Sequence, residues 1–190
     1  MANKVKYGLR NVSYSKITVS ELGVITYGTP VAIPGAVSMA LAPVGDNAEM
    51  YADDTLYFTQ AVNQGYEGDL EIALIPESFI TAILGMEKDE NGALIENADQ
   101  VGSAFALGFE VQGDSKGRKT WLYNCTCARP NQDASTKDAG ITPATDKLSL
   151  KVAPRLSDKQ VKATMELSAT NETAYTSFFT SVYEEATPTV

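Results

Sequence analysis

Three carboxylates stand at alternating positions in the stretch GYEGDLEIALIPESFITAILG, residues 65–85: Glu67, Asp69 and Glu71. Paired carboxylates are the tools of general acid–base chemistry, and glycoside hydrolases use two of them about 5–9.5 Å apart. On a strand Asp69 and Glu71 would lie about 6.6 Å apart, inside that window. Any i, i+2 pair on a strand meets the same condition. Such neighbours also share a face, whereas a hydrolytic pair must flank its substrate. Clustered acids can instead bind calcium, which takes six to eight oxygens, commonly from an Asp-rich loop closed by glycine. The sequence has no such loop. A solvated, charged strand face is the plainest reading of the three acids.

The other candidates for chemistry are Cys125 and Cys127. On a strand they point the same way, about 6.6 Å apart. A bond between them would need a non-strand backbone. A C-x-C pair without histidine or a second cysteine pair makes a poor zinc site. Both read as small packing residues. The chain has no histidine at all. That removes the usual general base, the Ser-His and Cys-His nucleophile systems and most transition-metal sites. The sequence therefore points away from an enzyme and calls for no cofactor or metal. Asp69 and Glu71 are the least implausible catalytic pair.

Charge is unevenly placed. Of the 24 acids, 15 fall between Val44 and Asp114, where Lys88 is the only base. Acidity at that density repels a nucleic-acid backbone, so sequence-specific DNA binding is not expected. No run of about 18 apolar residues occurs, and MANKVKYGLRNVSYSK lacks the apolar stretch of a signal peptide. The expectation is a protein made and folded in a cytoplasm, without a membrane.

The elements that must position these residues read mostly as strands. The chain's 190 residues suit a single domain with long arms. Residues 1–30 read as a basic N-terminal arm with a possible strand at 15–19. Residues 36–41 alternate Val37, Met39 and Leu41 with the small Ser38, Ala40 and Ala42. Residues 43–64 lack periodicity and read as a long, ordered loop carrying Tyr51, Tyr57 and Phe58. The acidic strand is expected over 66–75. Pro76 then starts a helix with the stripe Phe79, Ile80, Ile83 and Leu84, and Gly85 stops it. Asn91-Gly92 marks a turn.

Phe105, Leu107, Phe109 and Val111 alternate with Ala106, Gly108, Glu110 and Gln112. GDSKG turns the chain into a return strand over 119–128. The polar stretch 131–145 reads as a flexible loop. Strands follow at 147–153 and 161–167. A C-terminal helix and tail span 171–190, with Asn171 as cap and the stripe Tyr175, Phe178, Phe179 and Val182. The fold class is mainly β (α+β): a β-sandwich or flattened barrel flanked by a helix.

The order and spacing of several segments carry a resemblance. These are KVKYGLRNVSYSKI, PVAIPGAVSM, EMYADDTLYF, NQGYEGDLEIALIP, ILGMEKDENGALIE, FALGFEVQGDSKGRKTWLYNCTCARP and TAYTSFFTSVY. Together, over almost the whole chain, they resemble the major tail protein family of long-tailed phages (siphophages) of Gram-positive bacteria. Those proteins build the tail tube. The resemblance implies a structural, homo-oligomeric subunit with the phage tail tube fold. Its rings, typically hexamers, would stack by helical assembly into a hollow virion tail. Each subunit would add strands to a continuous β-barrel around the channel, and a long loop and the termini would reach neighbouring rings. Genomic DNA would pass through the channel during ejection without sequence-specific binding. Further partners implied are the tape measure, tail terminator and tail-tip proteins.

Within that frame Glu67, Asp69, Glu71 and Glu110 are candidate lumen-facing acids, because like charge around a channel repels phosphates. Ser38, Ala40, Ala42, Ala106 and Gly108 fit a crowded lining. The inter-subunit loop 43–64, with Tyr51, Asp53, Asp54, Tyr57 and Phe58, is the candidate for ring stacking. One alternative is the tube subunit of a phage-tail-like bacteriocin. An alternative of another class is a β-sandwich carbohydrate-binding module, which would be a stable monomer with a ligand cleft.

Overall fold

A computed structural model of the chain describes residues 3–21, 23–134, 136 and 143–186. It is mainly β, built on a nine-stranded sheet whose pairings are all antiparallel. The strands in chain order are β1 (Lys6–Val19), β2 (Ile25–Tyr27), β3 (Val31–Ala32), β4 (Ala36–Val44), β5 (Asn47–Ala52), β6 (Thr55–Ala61) and β7 (Gly65–Ile72). There follow β8 (Glu87–Lys88), β9 (Leu94–Ile95), β10 (Phe105–Gly113), β11 (Arg118–Cys127), β12 (Asp146–Val152) and β13 (Lys162–Glu166). The main path runs β2-β1-β10-β11-β12-β7-β4, with β3 on β1 and β13 on β11. The path curls until β4 comes back into contact with β1, with no strand pairing between the two among the described residues.

Alternation explains the curl. Phe105 and Leu107 on β10, Leu70 and Ile72 on β7, and Leu148, Leu150 and Val152 on β12 all bury their side chains in one core on the concave face. Each such side chain contributes about 1.5–3 kcal/mol by leaving water. A short helix, α1 (Glu77–Phe79), continues into a wider π-helical turn, Ile80–Leu84. Gly85 ends that turn in the left-handed region at φ 84°, which glycine adopts without a Cβ clash. Phe79 fastens the segment to the core by edge-to-face contacts with Tyr14 (5.0 Å) and Phe105 (5.3 Å).

A second core lies on the other face of β10 and β11. Ala106, Trp121, Tyr123, Phe178 and Val182 are buried together there. Trp121 Nε1 donates to the Phe178 carbonyl at 2.8 Å, and Tyr123 Oη donates to the Tyr183 carbonyl at 2.8 Å. The covering segment holds only a short helix, α2 (Glu172–Thr176), and continues as turns. Asn171 does not cap it with its side chain. Its Oδ1 accepts from Ser168 N–H and its Nδ2 donates to the Glu166 carbonyl, closing the turn that follows β13. Arg155 ties the same segment down. The guanidinium is buried, donates to Asp158 and Glu184, and sits 4.5 Å over the Tyr123 ring.

Four expectations need correcting. The expected N-terminal arm is largely strand β1, which pairs with β10 from Lys6 to Lys16 and buries Val12, Ser13, Tyr14 and Ser15. Asn3 and Lys4 are also held, through bonds to Lys116 and Asp114 in the β10–β11 turn. The acidic strand ends at Ile72, and Leu74 is exposed. Val37 falls at a bulge in the β4–β7 register and points to solvent, while Met39 and Leu41 pack inward. The long loop contains the β5–β6 hairpin. The expected polar loop 131–145 and the chain's last four positions lie partly or wholly outside the described residues.

Candidate functional site

Strand β7 presents Glu67, Asp69 and Glu71 on the convex face while Leu70 and Ile72 enter the core, as alternation requires. Register then decides what surrounds the acids. β12 places Lys151 opposite Glu67, Ser149 opposite Asp69 and Lys147 opposite Glu71. β4 places Ala42, Ala40 and Ser38 in the corresponding positions on the other side. Ser149 Oγ donates to Asp69 at 2.7 Å. Thr145 and Ser38 hydroxyls donate to Glu71 at 2.6 and 2.8 Å. Those two bonds, with Lys147 nearby, hold the Glu71 carboxyl below the usual glutamate range. The face is therefore a mixed one, acids interleaved with lysines and rimmed by small residues. Sequence reading missed the lysines because register brings them in from a strand 80 residues away.

Glu110, expected beside these acids, is elsewhere. It lies on the convex face too, but on β10, where α2 covers it and it is buried. Arg10 Nη2 donates to it at 2.6 Å and Asn11 Nδ2 at 2.7 Å. A bulge in β1 between Arg10 and Ser13, with Asn11 at φ 53°, aims the amide at the carboxylate. Burial opposes ionisation, but the bonds from Arg10 and Asn11 outweigh it and keep the carboxyl below its ordinary value. Glu110 does not line an open surface. Neither do Ala106 and Gly108: a Cβ on Gly108 would stand 2.8 Å from the Trp121 ring, so glycine here makes the slot for the indole.

Residues 43–64 hold a cluster of exposed apolar side chains. β5 and β6 pair with each other from Asn47↔Ala61 to Ala52↔Thr55, and their extensive contacts are with one another only. The turn is Asp53-Asp54, both in the left-handed region, at φ 51° and 60°. That is the type I′ geometry which Asn-Gly or Asp-Gly usually supplies. Tyr51 is 66% exposed, Tyr57 73% and Phe58 48%. Met50, Leu56 and Val62 are exposed too. Register places the Met50–Phe58 pair on one face and the Tyr51–Leu56 pair on the other, so both faces of the hairpin carry apolar side chains.

Cys125 and Cys127 are free thiols packed against the concave core, the first fully buried. Burial raises both thiols, Cys127 to about 11. Among the described residues no group of His, Cys, Asp or Glu is placed to hold a metal ion, and no helix is long and apolar enough to cross a membrane. No protein-family model matches the chain, and no curated protein is similar to it at a significant level.

Proposed function

We propose that the chain is a structural subunit of a phage tail tube, with the tail tube fold, and that it polymerises through rings into a hollow channel. The observation that carries the proposal is the β5–β6 hairpin. A lone two-stranded hairpin is marginal in water, and this one exposes aromatic side chains on both faces. Contiguous apolar surface of that kind is what protein–protein contact covers. A hairpin resting on one surface needs only one apolar face; two such faces suit insertion between neighbours in an adjoining ring.

The convex face of β4, β7 and β12 is the proposed channel wall. It is polar and small-featured, and its outward side chains are the acids, lysines, serines and alanines already named. Interleaved lysines make the wall weakly negative, not strongly so. Low adhesion to a passing duplex then comes from hydration and the absence of a basic stripe, with a smaller contribution from repulsion.

The test is the combined substitution Tyr51→Ser, Tyr57→Ser and Phe58→Ser. All three side chains are exposed, so the monomer's thermal stability should change by no more than about 2 °C, while assembly into tubes is lost. Tubes of normal length from the triple variant would refute the hairpin's role.

A further inference from the structure

The proposed stacking hairpin needs a receiving surface, and we infer that the acidic hairpin tip of one copy docks into a basic cleft at the fork of the sheet in another. This rests on the stacking reading above and names the surface that the hairpin meets.

The cleft has a physical origin. β11 pairs with β12 only over Cys125–Cys127 and with β13 over Arg118–Leu122. The sheet therefore forks along β11. The β13 arm and the β7–β4 arm diverge and leave an open groove of about 530 Å³ between them. Its floor is apolar, with Met39, Leu41, Phe109, Val111 and Leu122. Its rim is basic, with Lys4, Lys6, Arg118 and Lys162, and no acid lines it. Lys162 bridges the fork, donating to Tyr66 Oη at 2.8 Å from above the Tyr66 ring. Arg118 is partly neutralised by Glu166, which leaves the three lysines as the principal rim charges.

The hairpin is the complement of this groove. Residues 43–64 contain Asp46, Glu49, Asp53 and Asp54 and no base. Two of those acids occupy the left-handed turn positions at the tip, where asparagine and glycine are the easier residues. Behind the tip stand Met50, Tyr51, Leu56, Tyr57 and Phe58, which can cover an apolar floor. Strands of this length project about 20 Å, enough to reach across a subunit boundary. Acidic tip on basic rim, with apolar shaft on apolar floor, matches charge and hydrophobicity together. Because donor and acceptor patches differ, each copy can give a hairpin and take one. Such a heterologous contact closes into a ring or propagates as an open polymer, according to the rotation it imposes between copies.

Charge reversal tests this on the full chain. One variant carries Asp53→Lys and Asp54→Lys; the other carries Lys4→Glu and Lys162→Glu. All four positions are exposed, and circular dichroism with thermal melting checks that each variant folds. Sedimentation and electron microscopy then report assembly. Each variant alone should need at least about tenfold more protein than wild type to polymerise, because tip and rim now carry like charge. An equimolar mixture should polymerise at the wild-type concentration, since each variant's tip meets the other's rim with opposite charge. If the tip variant fails to assemble but the rim variant behaves as wild type, the cleft is overturned while hairpin stacking stands. Should the mixture fail to recover assembly, the pairing of tip with rim is wrong. A wild-type chain that never assembles overturns both this inference and the tube proposal.

Discussion

Glu110→Gln is the substitution whose effect the structure fixes most closely. The carboxylate is 2% exposed and accepts from Arg10 at 2.6 Å and Asn11 at 2.7 Å. Hydrogen bonds to charged groups are worth about 1.5–3 kcal/mol each. Glutamine keeps one acceptor oxygen but turns an NH₂ group toward a donor, so one bond is lost and the other loses its charge assistance. The Arg10 side chain is half-exposed, and water recovers part of its loss. The expected cost is about 2 kcal/mol, a fall in Tm of about 4–8 °C for a chain this size. The folded-state carboxyl is held below the ordinary glutamate value. Its contribution is therefore fully present above the unfolded value, near 4.3, and disappears as pH falls through the lower folded value. Urea unfolding followed by Trp121 fluorescence at pH 7 and at pH 3 measures both effects. The gap between wild type and variant should narrow at pH 3. A gap under about 0.5 kcal/mol at pH 7, or one that does not change with pH, would refute the reasoning. It would also return Glu110 to the open, channel-facing position that its alternation in the sequence suggests.

Three further outcomes follow from the packing. Gly108→Val would push the Trp121 indole out of its slot, shifting its emission to the red and costing about 1–3 kcal/mol; an unchanged spectrum would mean the slot is not tight. Arg155→Met removes the tie to Asp158 and Glu184, so chymotrypsin should cut at Phe178 or Phe179 several-fold faster than in wild type. Equal rates would show that the Trp121 and Tyr123 bonds hold the C-terminal segment without it. Burial pushes the Cys127 thiol up to about 11, so at pH 8 a thiol reagent should label it on the order of 100-fold more slowly in the folded chain than in urea. Labelling at equal rates in the two states would contradict that burial.

The β-rich class was legible because β7 and β12 have one buried and one exposed face over much of their length, and the acids on β7 point where alternation puts them; β10 alternates large and small residues in sequence although both of its faces are buried. β1 was not legible. Its Val12, Ser13, Tyr14 and Ser15 are buried in succession, on both faces of the sheet, and register shifts at 7–9 and 10–13 break the period ahead of the regular stretch. The β5–β6 hairpin was hidden for the opposite reason. Neither face is buried within the chain, so no polar face alternates with an apolar one, and Asp-Asp is a weak turn signal. Its β-favouring Thr-Leu-Tyr-Phe-Thr run was the available clue. The lysines opposite Glu67 and Glu71, the Arg10–Glu110 pair and the basic cleft rim all depend on register between distant strands. Spacing along the chain carries no information about them. The small face at Ala106 and Gly108 was visible, but only the fold shows that an indole fills it.

Negative-stain electron microscopy of the purified protein at high concentration, with its mass in solution measured alongside, tests the central proposal most directly. The account predicts stacked rings or hollow tubes, and a mass that grows with concentration. A uniform monomer at every concentration, with no rings on the grid, would contradict it and favour a solitary β-sandwich binding module.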